Sequence, residues 1–150
     1  MVKNIDDVEY PALIDHIGWQ LWQASADWHA AFEQEMVAKG HGWYAEARGA
    51  VFRLIGPQGV RQSALQDQLR VSKQAVQQML DQLEADNIIK RVMDCSDSRA
   101  KRVILTKSGL IAAHDANLAK RKIEDSIRRK LGDKLFEKLM DLLITLNTSD

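Results

Sequence analysis

The sequence predicts a mainly α-helical (α+β) fold carrying one small β-hairpin, and three observations carry that prediction. Apolar residues recur at three- and four-residue spacing over most of the 150 residues. Glycine-rich breaks at 40–42, 56–59 and 132 cut this pattern into separate helices. The period changes only over about 88–105, where two β-forming runs flank a polar, turn-prone stretch.

Residues 1–10 read as a short arm. Pro11 can open a helix at its first turn, where a missing N–H costs nothing. From there to about Ala38 the apolar positions are Leu13, Ile17, Leu21, Trp28, Phe32 and Met36, one broad stripe. Lys39-Gly40-His41-Gly42 breaks the pattern. A second helix is expected over about Trp43 to Ile55, with Ala47, Val51 and Leu54 inward, ended by Gly56-Pro57-Gln58-Gly59. Two short helices follow, about Gln62 to Leu69 and about Lys73 to Ala85, joined by Arg70-Val71-Ser72. Ser72 suits the N-cap of the second because its hydroxyl can accept from a free backbone N–H. Strands are expected at Ile88 to Met93 and Arg102 to Leu105. Thr106 caps a helix running to about Lys130, with Leu110, Leu118, Ile123 and Ile127 as its clearest apolar positions. A last helix from about Asp133 to Leu146 carries Leu135, Leu139, Leu142, Leu143 and Leu146.

Composition narrows the class. Hydrophobic residues at 45% and charged residues at 28% are ordinary for a globular domain. No apolar run approaches the roughly 18 residues of a membrane span. The acidic N-terminus lacks a signal pattern, so a cytoplasmic address is expected. A lone Cys95 excludes an internal disulfide framework. Net charge is zero but unevenly spread. Residues 1–60 hold 4 basic and 8 acidic groups, 61–107 hold 9 and 6, and 108–150 hold 8 and 7. The middle third is the clearly basic segment, and a local basic face is what phosphate contact requires.

Helix, three-residue turn, helix and hairpin follow one another at short spacing. A helix-turn-helix sets its second helix in the DNA major groove. Here that is Lys73 to Ala85, whose apolar face of Val76, Met79, Leu80 and Leu83 turns Gln74, Gln77 and Gln78 outward. Glutamine can bond bidentately to the N6 and N7 edge of adenine. Ser72 and Lys73 sit at the helix start, where a phosphate is favoured. Asp81, on the same face, opposes binding. The hairpin tip offers Arg99, Lys101 and Arg102, and arginine suits the negative potential of a narrow minor groove.

From about Gly59 to Gly109 the chain resembles the MarR family of winged helix-turn-helix regulators. The matching residues are Leu65, Leu69, Val71-Ser72, Val76, Leu80, Leu83-Glu84, Ile88-Ile89, Arg91, Asp97-x-Arg99 and Val103-x-Leu105-Thr106-x-x-Gly109. The resemblance implies that Arg99 reaches the minor groove, that Asp97 braces the wing, and that Arg91 has a structural role. It also implies flanking dimerisation helices, so the organisation expected is arm and dimerisation helix over 1–38, DNA-binding lobe over 43–106 and dimerisation helices over 107–150, in one compact unit. The dense leucines near the chain end support the dimer independently, because a small monomer would struggle to cover them. Two departures stand out. Asn87 replaces the family's usual glycine, and Gln77-Gln78 stand where basic or hydroxyl residues are common.

The function implied is sequence-specific, double-stranded DNA binding by a homodimeric transcription regulator. A ligand-responsive repressor on a pseudo-palindromic operator is the form expected. His16, Trp19, Tyr44 and Arg48 are the candidate small-molecule effector site, in an aromatic-rich first third. No metal or other cofactor is expected: His16, His29, His41 and His114 lack zinc-ligand spacing. Cys95, near Asp94 and Asp97, has surroundings that disfavour a thiolate. An enzyme is not expected, since no phosphate-binding glycine loop, G-x-S-x-G or H-E-x-x-H occurs. The alternative is a winged-helix protein-interaction module that does not bind DNA.

Overall fold

A computed structural model describes residues 14–148. The expected arm, Pro11 and Leu13 lie outside these. The first helix, α1 (Ile17–Ala38), begins later than expected: Ile14 to His16 are not helical. His16 is its N-cap, Nδ1 accepting from Trp19 N at 3.3 Å. Only Phe32 and Met36 of α1 are buried, whereas Ile17 and Leu21 of the expected stripe are exposed. After the break, the expected single helix divides in two. A 3-10 turn (Gly42–Ala45) buries Trp43 and Tyr44, and α2 (Ala47–Arg53) buries Val51 and Phe52 while Ala47 is exposed. Extended backbone at Glu46 separates them.

The next elements are β1 (Val60–Arg61), α3 (Gln62–Leu69), α4 (Lys73–Ala85), β2 (Ile89–Met93) and β3 (Lys101–Leu105). The strands form one antiparallel sheet in the order β1-β3-β2, with Val60 opposite Val103 and Arg91 opposite Val103 on the other side. Sequence patterning overlooked β1 because two residues show no alternation. Long helices α5 (Lys107–Leu131) and α6 (Asp133–Asn147) close the described chain, parted at Gly132.

One core joins α1, α2, α3, α4 and the sheet through Val51, Phe52, Leu65, Val76, Leu80, Leu83, Ile89 and Val103. Aromatic edges link its upper part: Phe32 meets Tyr44 at 5.1 Å and Trp43 meets Phe52 at 5.0 Å, both edge to face. Helix α5 packs on α1 through a different seam from the one its leucines suggest. The buried residues are Gly109, Ala112, Ala116, Ala119 and Ile123, while Leu110 and Leu118 are exposed. Small residues let two helices approach closely, so the alanine side faces inward and the leucines face away. His41 Nε2 and Lys39 Nζ close the same α1–α5 contact on Asp115, at 2.9 and 3.4 Å.

The backbone is left-handed at two non-glycine positions that shape the lobe formed by α3, α4 and the sheet. Arg70 (φ 52) ends α3 and makes the turn into α4, and Asn87 (φ 57) leads into β2. Asparagine is among the side chains that tolerate this conformation.

Candidate nucleic-acid interface

Helix α4 owes its register to both ends. Ser72 Oγ accepts from Ala75 N at 3.1 Å, satisfying one of the free N–H groups of the first turn. Val76, Leu80 and Leu83 are buried and Met79 is partly so. That geometry leaves Ser72, Lys73, Gln74 and Gln78 exposed.

Gln77 does not point freely outward as the sequence suggested. It is half-buried, its Nε2 donates to Asp81 Oδ1 at 2.8 Å, and its Oε1 accepts from Gln62 Nε2 at 2.7 Å. Position 77 lies beside the buried row rather than opposite it, within reach of α3. Asp81 is also accounted for. Its Oδ1 accepts from Arg91 Nη2 at 2.7 Å, and that guanidinium holds its carboxyl below the usual carboxylate range. Arg91, on β2, donates to Glu84 from its backbone N at 3.0 Å, from Nε at 2.9 Å and from Nη2. Glu84 is likewise shifted down by Arg91. One arginine thus neutralises the two acids of α4 and ties the helix to the sheet.

The base of the wing is held by Asp94, which the sequence reading passed over. Its side chain is buried and accepts from four groups. Arg61 approaches bidentately at 3.2 and 3.1 Å. Arg102 Nε adds a bond at 3.0 Å, and Ser96 donates from N at 3.0 Å and from Oγ at 2.6 Å. These bonds, Arg61 first, hold its carboxyl far below the usual range. Arg102 therefore is not a free cation at the tip: it also donates to the carbonyls of Gln58 and Gly59 at 3.1 and 3.3 Å. Asp97 is a local turn residue, its Oδ1 accepting from Arg99 N at 3.0 Å and its carbonyl from Ala100 N at 3.0 Å. The expected brace at Asp97 shapes the turn that presents Arg99, while the ionic brace is Asp94. A buried acid between two arginines far apart in sequence leaves no local pattern. Only the β1–β3 pairing, which sets Arg61 opposite Arg102, brings the three together.

Between α3, the start of α4 and the wing lies an open cleft of about 410 Å³. Gln62, Gln66, Lys73, Arg99 and Lys101 line it. Lys73, Arg99 and Lys101 are exposed and have no ion-pair partner among the described residues. A cationic cleft beside a helix N-terminus is suited to phosphate.

The four candidate effector residues are not brought together in one chain. His16 caps α1 and Trp19, half-exposed, stacks on Trp22 at 4.9 Å. Tyr44 is buried against Phe32, and Arg48 is bound to Glu46 at 2.7 Å and to Asp86. Thirteen residues of helix between Trp19 and Phe32 span about 20 Å, too far for one pocket. Among the described residues no three of His, Cys, Asp or Glu cluster to hold a metal ion. None of the described helices is long and apolar enough to cross a membrane. Cys95 is exposed.

A helix-turn-helix followed by a two-stranded wing places the lobe in the winged helix-turn-helix class. Residues 52–101, a third of the chain, match the family model of the MarR family. No curated protein matches the chain. Solved structures share its fold. The transcriptional regulator Tm0710 from Thermotoga maritima superposes with a TM-score of 0.66 at 22% identity, covering 86% of this chain and 89% of that one. Wild-type MarR from E. coli in its apo form gives 0.72 at 19%, covering 91% and 100%. A point mutant of S. aureus MepR, bound to an oligodeoxyribonucleotide, gives 0.60 at 17%, covering 89% and 96%.

Proposed function

We propose that this protein is a sequence-specific DNA-binding transcription regulator that acts as a homodimer on a two-fold symmetric operator. The observation that carries the reading is the distribution of charge around α4 and the wing. The acids Asp81, Glu84 and Asp94 are bound by arginines, while Lys73, Arg99 and Lys101 are left to the cleft. Arg99 on the wing reaches the minor groove while α4 enters the adjacent major groove. The nucleic-acid-bound MepR mutant of the same fold supports this docking. Occupancy of the operator represses by blocking polymerase.

A second copy fits the unpartnered apolar faces. In α6 only Phe136 is buried, while Leu135, Leu139, Leu142 and Leu146 are exposed. Ile17, Trp19, Leu21 and Trp22 expose a similar surface on α1. Exposed apolar area on this scale marks an association surface. His16 and Trp19 line one cavity of the chain while Tyr44 and Arg48 lie elsewhere, so the proposed function does not depend on an effector site.

Enrichment from a randomised duplex pool over a salt series tests the proposal. Three unpaired cations at the cleft of each protomer, and six in a dimer, predict a log-affinity slope against log salt of roughly −5. The expected outcome is a palindromic motif with that slope, and Arg99→Glu should abolish enrichment. Tight binding that is indifferent to sequence and to Arg99→Glu would overturn it and favour the protein-interaction module.

A further inference from the structure

Three glutamines near the start of α4 lie outside its buried row, but the structure divides them. Gln74 and Gln78 are exposed, and neither amide has a hydrogen-bond partner among the described residues. Four residues apart, they lie on one face, separated by about 6 Å along the helix. Gln77 is bonded at both ends of its amide.

The chain of bonds through Gln77 has only one possible polarity. Arg91 makes Asp81 an acceptor. Asp81 therefore requires the NH2 end of Gln77, which turns the Gln77 oxygen to the NH2 of Gln62. Gln62 Oε1 is then left buried with no partner, as observed. Pulling Gln77 out to a base would deprive Asp81 of a donor and leave the Gln62 amide without any partner. Buried polar groups left unpaired are costly.

We infer that Gln74 and Gln78 are the base-reading pair, selecting A·T pairs in each operator half-site, and that Gln77 is a positioning residue. Gln77 locks α4 to α3 directly, and to β2 through Asp81 and Arg91. The inference rests on the DNA-binding reading above. A free amide donates and accepts at once, matching the N7 acceptor and N6 donor of adenine in the major groove. A separation of about 6 Å corresponds to roughly two base-pair steps of 3.4 Å, so two adenine positions that far apart are expected per half-site.

Enrichment and sequencing are run on the wild type, Gln74→Ala, Gln78→Ala, Gln77→Ala, and the double variant Gln77→Glu with Asp81→Asn. The double variant exchanges amide and carboxylate, so the bonds to Gln62 and between positions 77 and 81 can both re-form. Circular dichroism confirms folding of each. Gln74→Ala and Gln78→Ala should each lose about tenfold preference at a different base pair, the rest of the motif persisting. Gln77→Ala should weaken binding to all sequences alike, and the double variant should restore affinity with the wild-type motif. A glutamate that read bases would select cytosine through its N4 donor. A cytosine in the double variant's motif, or an unchanged motif in both Gln74→Ala and Gln78→Ala, overturns the inference while leaving DNA binding intact. Absence of any motif for the wild type overturns the DNA-binding reading itself, and this inference with it.

Discussion

Gly109→Ala separates helix propensity from tertiary contact, because the two predict opposite signs. Gly109 lies in the first turn of α5, where alanine would gain about 1 kcal/mol over glycine on propensity alone. The structure opposes this. A Cβ there would stand 2.1 Å from the carbonyl oxygen of Ile88 and 3.2 Å from Leu105 Cβ. A carbon–oxygen contact settles at about 3.3–3.6 Å, so α5 and the entry to β2 must part by roughly 1 Å. The obstacle cannot swing aside as a side chain could. That carbonyl accepts from Thr106 N and Thr106 Oγ1, both at 3.0 Å, and Thr106 also caps α5 by accepting from Gly109 N at 3.1 Å. Overpacking costs about 1–3 kcal/mol and a weakened hydrogen bond about 1 more, so the expected net loss is about 2 kcal/mol. For a chain of this size that lowers Tm by about 6 °C. Urea denaturation at fixed protein concentration measures it, with Gly56→Ala as control. A Cβ at Gly56 meets nothing within 4 Å, so that variant should be unchanged or gain up to about 1 kcal/mol. Equal stability of the two variants would refute the reasoning.

Three further outcomes are expected. Ser72→Ala removes the cap of α4 and should cost about 1 kcal/mol in denaturant unfolding; an unchanged midpoint would show the cap to be dispensable. Asp94 holds its proton less tightly in the folded chain than in the unfolded one. The stabilisation its ion pairs provide is therefore full above the ordinary carboxylate range and lost as pH falls through and below it. Between about pH 5 and pH 3 the wild type should lose stability more steeply than Asp94→Asn, and parallel curves would contradict the assignment. Leu142→Glu places a charge on the exposed face of α6 and should convert the proposed dimer to monomer in sedimentation at micromolar concentration; a dimer unaltered by the variant would remove α6 from the interface.

What was legible in the sequence follows from the range of the interactions that decide each feature. The bounds of α3, α4 and α6 lie within a residue of expectation, because apolar spacing and the Ser72 cap are local signals. The start of α1 and the split at Glu46 were not, since a periodic pattern says nothing of where a helix must yield to packing. Leu110 and Leu118, apolar positions of α5, are exposed, because hydrophobicity alone does not say whether a residue meets α1 or another surface. Gln77 misled because one helical step, about 100°, separates an exposed amide from one that reaches the neighbouring helix.

Charge pairing also resolves why a neutral chain can present a binding face for a polyanion. Of the six acids between residues 61 and 107, Asp81, Glu84, Asp86 and Asp94 are each held by an arginine. Arg61, Arg91 and Arg102 bind acids from this segment, while Arg48 is recruited from α2 to cover Asp86. Arginine suits this role because its planar fork satisfies a carboxylate at two points. The lysines Lys73 and Lys101 stay unpaired, as does Arg99 at the turn that Asp97 shapes. A count of charges treats all these groups alike and returns a small excess. The pairing instead leaves three unpaired cations together at the cleft beside α4 and the wing, and under the proposed DNA-binding function it is this local arrangement, rather than the net charge, that sets affinity and its dependence on salt.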